Sequence, residues 1–207
     1  MRTKKVLSIL LVVCLVCGSL SAISFDYNKE LSTISDITMG LTLVLPSVFA
    51  LSAPPCDYLK IGTSYTTTIL TSYFGVRSPL KALIDKPRPY VGAEKRPDDS
   101  SKDYDSFPSG HSLMAFSAAA YTYTAYRLWY PDSKTLKTAS IAVWTLAGTT
   151  AMLRVVSGNH DVIDVLAGAA LGSAVGFLGP YLTDKLFYKD DSIQILVGPT
   201  VGMQVTF

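Results

Sequence analysis

Five stretches of this chain, roughly 36–52, 61–80, 112–129, 138–156 and 162–182, are apolar enough to be buried as helices along their whole length. Runs that long are helices rather than strands, and packing five of them leaves little room for any other architecture. Ala139 to Val156 carries one charge and Val165 to Leu178 none. Within the last stretch Gly168, Gly172 and Gly176 recur at four-residue spacing, a small-residue stripe that permits close helix packing. The first three stretches are laced with hydroxyls, as in Thr63-Ser64-Tyr65-Thr66-Thr67-Thr68 and Tyr121-Thr122-Tyr123-Thr124. Such segments either cross a membrane as part of a bundle or form a soluble core with half-polar faces. Composition leans the same way as the apolar stretches, with 49% hydrophobic and 16% charged residues. Soluble domains typically carry about 25% charged residues. A formal net charge of +2 excludes a broadly basic surface of the kind that coats nucleic acid.

The two ends differ from this middle. Arg2, Lys4 and Lys5 precede an apolar run from Val6 to Val16, and small residues follow from Gly18 to Ala22. This order is that of a secretory signal peptide over 1–22 with cleavage near Ser21 or Ala22; the competing reading is an uncleaved signal anchor. Either way the chain that follows is expected to be exported. Cys14 and Cys17 lie inside the apolar run, which leaves Cys56 alone after cleavage, without a disulfide or thiolate metal site. At the other end, Ser192 to Val197 and Val201 to Phe207 are β-branched and loosely alternating about Gly198-Pro199, which predicts a short hairpin over 191–207. The expected organisation is therefore a leader, an all-α domain of about five to six apolar helices over 23–190, and a hairpin tail.

Three short polar islands interrupt the apolar pattern. In the first, Lys81 is followed by Arg88 between Pro87 and Pro89, which hold it on a stiff extended turn. Arg offers a planar fork and Lys a point charge to phosphate oxygens, although such cations also mark membrane boundaries. In the second, Ser106-Phe107-Pro108-Ser109-Gly110-His111-Ser112 leads into an apolar helix. Ser109 is a natural N-cap, Gly110 lets a ligand approach the backbone, and free N–H groups at the helix start favour an anion. His111 on the first turn could then donate a proton. In the third, Arg154 precedes His160 and Asp164, whose four-residue spacing lets a carboxylate hold one ring nitrogen and leave the other basic. The chain has two histidines, and both lie in these islands at helix starts. Between the first two islands, residues 94–105 mix both signs and read as a mobile, solvated loop. If the apolar stretches span a membrane, all three islands fall on its outer side and Arg127, Lys134 and Lys137 face the cytoplasm.

Lys81-x6-Arg88-Pro89, then Pro108-Ser109-Gly110-His111, then Arg154-x5-His160-x3-Asp164 resemble the three-part signature of the type 2 phosphatidic acid phosphatase (PAP2) superfamily. The resemblance covers residues 81 to 164, and the helical pattern extends it to about 183. One departure is visible: Leu153 stands where the family usually has Ser before the third-motif Arg. The resemblance implies a PAP2-type helical bundle and a metal-free, cofactor-free mechanism. In it His160 attacks phosphorus, Asp164 orients His160, and His111 protonates the leaving oxygen. Lys81, Arg88, Ser109, Gly110 and Arg154 would hold the phosphate oxygens.

The leading expectation is a phosphatase with a periplasm-facing site, acting on a membrane lipid phosphate or diphosphate. Phosphatidic acid, phosphatidylglycerol phosphate, undecaprenyl diphosphate and lipid A are all compatible. A soluble periplasmic acid phosphatase acting on small phosphoesters is the alternative. A vanadium haloperoxidase and a non-catalytic scaffold for anionic lipid stand behind these two. No nucleic-acid partner is expected.

Overall fold

A computed structural model describes residues 25–47, 52–187, 193–197 and 201–205. The leader expected over 1–22 lies outside the described residues. Helix α1 (Lys29–Val44) opens on Asn28, whose side chain accepts the Leu31 N–H at 3.0 Å. It begins well before the apolar stretch expected from 36, because its capped first turns are polar. Helix α2 (Tyr58–Leu70) runs on through a π-helical segment (Thr71–Arg77) into α3 (Ser78–Leu83). Pro79 supplies the reason for the widened turns, since it has no N–H and its ring crowds the carbonyl one turn back. Helix α4 (Gly110–Trp129) is capped by Ser109, and α5 (Lys134–Val156) by Ser133. Helix α6 (Val162–Phe187) completes the bundle. Strands β1 (Ile193–Val197) and β2 (Val201–Val205) pair antiparallel, Ile193 opposite Val205.

Helix α4 is the central element, in contact with α1, α2, α5 and α6. Leu113, Ala115, Ala118, Ala119, Ala120 and Tyr121 on it are fully buried. Its closest neighbour is α6, and the glycine stripe is the cause. A Cβ at Gly168 would stand 2.5 Å from the Ser109 carbonyl oxygen, and one at Gly172 or Gly176 would collide with the carbonyl oxygen of Leu113 or Ser117. Any side chain there would push the two helices apart. Gly148 on α5, by contrast, faces open space.

The distribution of polarity bears on the two readings of the hydroxyl-rich helices. Ser35 and Thr42 on α1, Ser64 and Thr68 on α2, Ser117 and Thr122 on α4, and Ser140 and Thr150 on α5 are buried between helices. Most return their hydroxyl protons to carbonyls three or four residues back, as Thr42 does to Thr38 at 2.7 Å and Thr122 to Ala118 at 2.6 Å. Large apolar side chains point the other way: Ile37, Val44, Phe74, Ile141 and Met152 are each at least 58% exposed. A soluble core helix buries the opposite face. Helices α5 and α6 are also long and apolar enough to cross a bilayer.

Gly172→Ala is expected to lower stability by about 1–3 kcal/mol through overpacking. Gly148→Ala should instead be neutral or gain up to about 1 kcal/mol, as alanine does in an unobstructed helix. Thermal unfolding midpoints of the two variants in one detergent make the comparison.

Candidate active site

The local folding of the three islands brings them to one end of the bundle. Helix α3 stops at Ile84, which turns extended, and the backbone after it pairs with the end of the mixed-charge loop. Arg88 N–H donates to the Asp103 carbonyl at 2.7 Å and Ser106 N–H to the Lys86 carbonyl at 3.1 Å. The loop expected to be mobile and solvated is therefore tied down at its C-terminal end. It also reaches the site, where Asp99, Lys102 and Asp105 form part of the cavity wall. Ser109 N–H donates to the Asp164 carbonyl at 2.9 Å, which fastens the start of α4 to the start of α6.

The resulting cavity, about 220 Å3, is lined by Lys81, Arg88, Gly110, His111, Arg154 and His160 from the sequence-predicted set. Asp164 and Ser109 are not on its wall. Asp164 lies fully buried behind His160, its Oδ2 3.6 Å from His160 Nδ1. Ser109 is buried as the α4 cap, its Oγ accepting the Ser112 hydroxyl at 3.1 Å. Gly110 lines the cavity, and its missing side chain has a further consequence. A Cβ there would stand 2.5 Å from Arg77 Nε, so the missing side chain makes room for that arginine.

Asp164 is held from three sides. Its Oδ1 accepts Lys86 Nζ at 2.7 Å, its Oδ2 accepts the Ser106 hydroxyl at 2.5 Å, and the Asp161 N–H reaches Oδ2 at 3.3 Å. Lys86 also contacts Asp161 at 2.5 Å. With Nδ1 of His160 facing Asp164 and Ser106, its Nε2 is the nitrogen left for chemistry. Burial holds the pKa of His160 well below the usual imidazole value; Asp164 opposes this, and the charges of Arg88 and Arg154 add to it. A neutral ring with a free lone pair is the form a nucleophile needs.

The cations carry the mark of an anion site. Arg88 Nη1 contacts Asn159 Oδ1 at 3.3 Å, and Arg154 Nη1 contacts Ser35 Oγ at 3.0 Å and Asp36 Oδ1 at 3.2 Å. Yet the Nε atoms of Arg88 and Arg154 are buried with no hydrogen-bond partner. Unpaired buried guanidinium donors are costly, and both side chains line the cavity, where an anion can pair with their charge. Lys81 pairs with Asp105 at 3.0 Å, and burial pushes its pKa down to about 8.

Residues 57–188 match the sequence model of the PAP2 superfamily. The chain belongs to the PAP2 superfamily. A relative from Helicobacter pylori, described as lipid A 4'-phosphatase, is 31% identical over 151 residues, which cover 72% of this chain and 68% of that protein. The lipid A 1-phosphatase of Porphyromonas gingivalis is 37% identical over 101 residues, 47% of this chain but only 20% of the relative. Among solved structures, the transmembrane PAP2-type phosphatidylglycerolphosphate phosphatase of Bacillus subtilis superposes with a TM-score of 0.57 at 21% identity, over 88% of this chain and 90% of that one. That likeness shows the fold. Family and relatives together make the chain a PAP2-type phosphatase.

Sequence reasoning passed over several residues of the PAP2 cavity and its surroundings. Asp36 and Arg77 line the cavity, and each is the lone charge in its apolar stretch, a signal that could have found them. Lys86, Ser106 and Asn159 sit inside or beside the motifs but carry no spacing rule of their own.

Two consequences can be measured with tungstate, an oxyanion that stays doubly charged across neutral pH. Its affinity should fall as pH rises through about 8, because the Lys81 charge is present below that value and lost above it. Arg154→Gln should weaken binding at least about tenfold by removing a charge-assisted donor pair. Isothermal titration in detergent reads both.

Proposed function

We propose that this protein hydrolyses a membrane lipid phosphate without a metal, through a phosphohistidine on His160. The observation that carries the reading is His160 itself. Its Nδ1 is backed by Asp164 at 3.6 Å, and it lies in a cavity walled by two arginines whose buried Nε atoms lack partners. In the first step His160 Nε2 attacks phosphorus, the P–O bond to the alcohol breaks, and His111 gives its proton to the departing oxygen. In the second, water attacks phosphorus, His111 takes the water proton, the P–N bond breaks and phosphate leaves. Lys81, Arg88 and Arg154 stabilise charge on the equatorial oxygens, with the Gly110 amide at the α4 start contributing its N–H.

A lipid substrate is supported by the outward-facing apolar side chains of every long helix and by relatives whose names specify lipid A. The 23 residues of α5 span about 34 Å at 1.5 Å per residue, close to bilayer thickness. With Arg127, Lys134 and Lys137 at the end remote from the site, positive charge lies on the cytoplasmic side and the cavity opens outward, toward the periplasm. A lipid A phosphate is the first substrate to test, followed by phosphatidylglycerol phosphate, phosphatidic acid and undecaprenyl diphosphate. The exposed apolar faces weigh against a soluble acid phosphatase.

Phosphate release in detergent with EDTA present tests the mechanism. Wild type should turn over, and His160→Ala should fall to background. His111→Ala should lose about a hundredfold or more on alkyl phosphates and far less on p-nitrophenyl phosphate, whose leaving group needs no proton. Activity retained in His160→Ala ends the phosphohistidine reading.

A further inference from the structure

Helix α1 lies outside the residues that match the family, yet it supplies the cavity with an ion-pair partner for His111. Asp36 Oδ1 stands 2.8 Å from His111 Nε2 and 3.2 Å from Arg154 Nη1. The geometry points to Asp36 as the positioning residue of the proton donor: it holds His111 by Nε2–H and leaves Nδ1 as the nitrogen that exchanges a proton with substrate. The site would then contain two His–carboxylate pairs of opposite sense, with His160 held at Nδ1 and His111 held at Nε2. This inference rests on the proposed role of His111.

Three observations support a device rather than an incidental contact. First, Asp36 is the sole acid in the stretch 36–52, where an ionised side chain is costly without a task. Second, α1 is anchored at the height of the site. Asn28 N–H donates to the Ser157 carbonyl at 3.1 Å, and Ser35 on the adjoining position contacts Arg154, so the carboxylate is delivered by a fixed helix rather than a loop. Third, His111 Nδ1 makes no hydrogen bond among the described residues, while the ring lies on the cavity wall.

The charges facing His111 come from three elements: Asp36 on α1, Arg154 on α5, and Arg88 on the loop after α3. Lys102, from the mixed-charge loop, acts on Asp36 in turn. Of the groups facing the ring, only Asp36 favours imidazolium, and both arginines oppose it. Burial holds the His111 pKa below the usual imidazole value; Asp36 opposes that shift, and the two arginines add to it. The contact of Asp36 with Arg154 ties the same carboxylate to the phosphate-binding group, which sets proton donor and phosphate site at a fixed separation.

Asp36→Asn keeps the shape and removes the charge. On an alkyl phosphate its kcat should fall about tenfold to a hundredfold, with less than about threefold lost on p-nitrophenyl phosphate. The basic limb of the alkyl kcat profile should move about one pH unit lower. Asp36→Glu should lie between wild type and Asp36→Asn in both measures, and it carries the test by itself if Asp36→Asn does not fold. Equal losses on both substrates, an unmoved limb, or a gain in rate or tungstate affinity would overturn the assignment. The last of these would mean that Asp36 competes with substrate phosphate for Arg154. Failure of the underlying reading looks different, since it shows as equal losses on both substrates in His111→Ala.

Discussion

The contact between α4 and the glycine face of α6 is the constraint on which the rest of the molecule depends. Gly168, Gly172 and Gly176 let the two backbones meet with no side chain between them. At the end of that seam the Ser109 N–H reaches the Asp164 carbonyl at 2.9 Å. His111 stands two residues into α4, and His160 lies just before α6. The separation and relative rotation of the two helices therefore set the separation and aim of the two histidines. A shift of the seam is therefore a shift of one histidine relative to the other.

The second organising principle is an inverted distribution of polarity. Hydroxyls occupy the helix interfaces and large apolar side chains occupy the outside. Each buried Ser or Thr that returns its proton to its own helix carries no unmet polar group into the interior, and its small size keeps the helices close. The two ends of the bundle are polar in different ways. One holds the cavity with its cations; the other holds structural pairs such as Lys60 with Asp184 at 2.8 Å, and the Tyr130 hydroxyl donating to Asp57 at 2.6 Å. Charge thus collects at the ends of an apolar belt.

In and behind the cavity, three paired arrangements hold its charged side chains in place. Lys86 and Ser106 fix the carboxylate behind His160, so that neither oxygen of Asp164 is free to turn away. Asp105 steadies Lys81. Asp36 joins His111 to Arg154. The Nε atoms of Arg88 and Arg154 are left buried without a hydrogen-bond partner.

Much of this was legible in the sequence, and the physical reason is locality. Apolar run length, the four-residue glycine spacing and the capping serines act over one or two helical turns, so they predicted the helices, a close-packing face on α6 and the His160–Asp164 pair. The order of the three islands predicted that Lys81, Arg88, Gly110, His111, Arg154 and His160 would gather. Other features depend on distance in space between residues far apart in the chain. The π-helical turns that bring Arg77 beside Gly110, the docking of the 94–105 loop, the inward turn of the Ser109 hydroxyl and the reach of Asp36 from α1 all belong to that class. Sequence determined which elements exist and which groups they carry. Tertiary structure decided which way the hydroxyls face and which carboxylate meets which histidine, because those choices follow from helix rotation and depth, which no spacing along a single helix encodes.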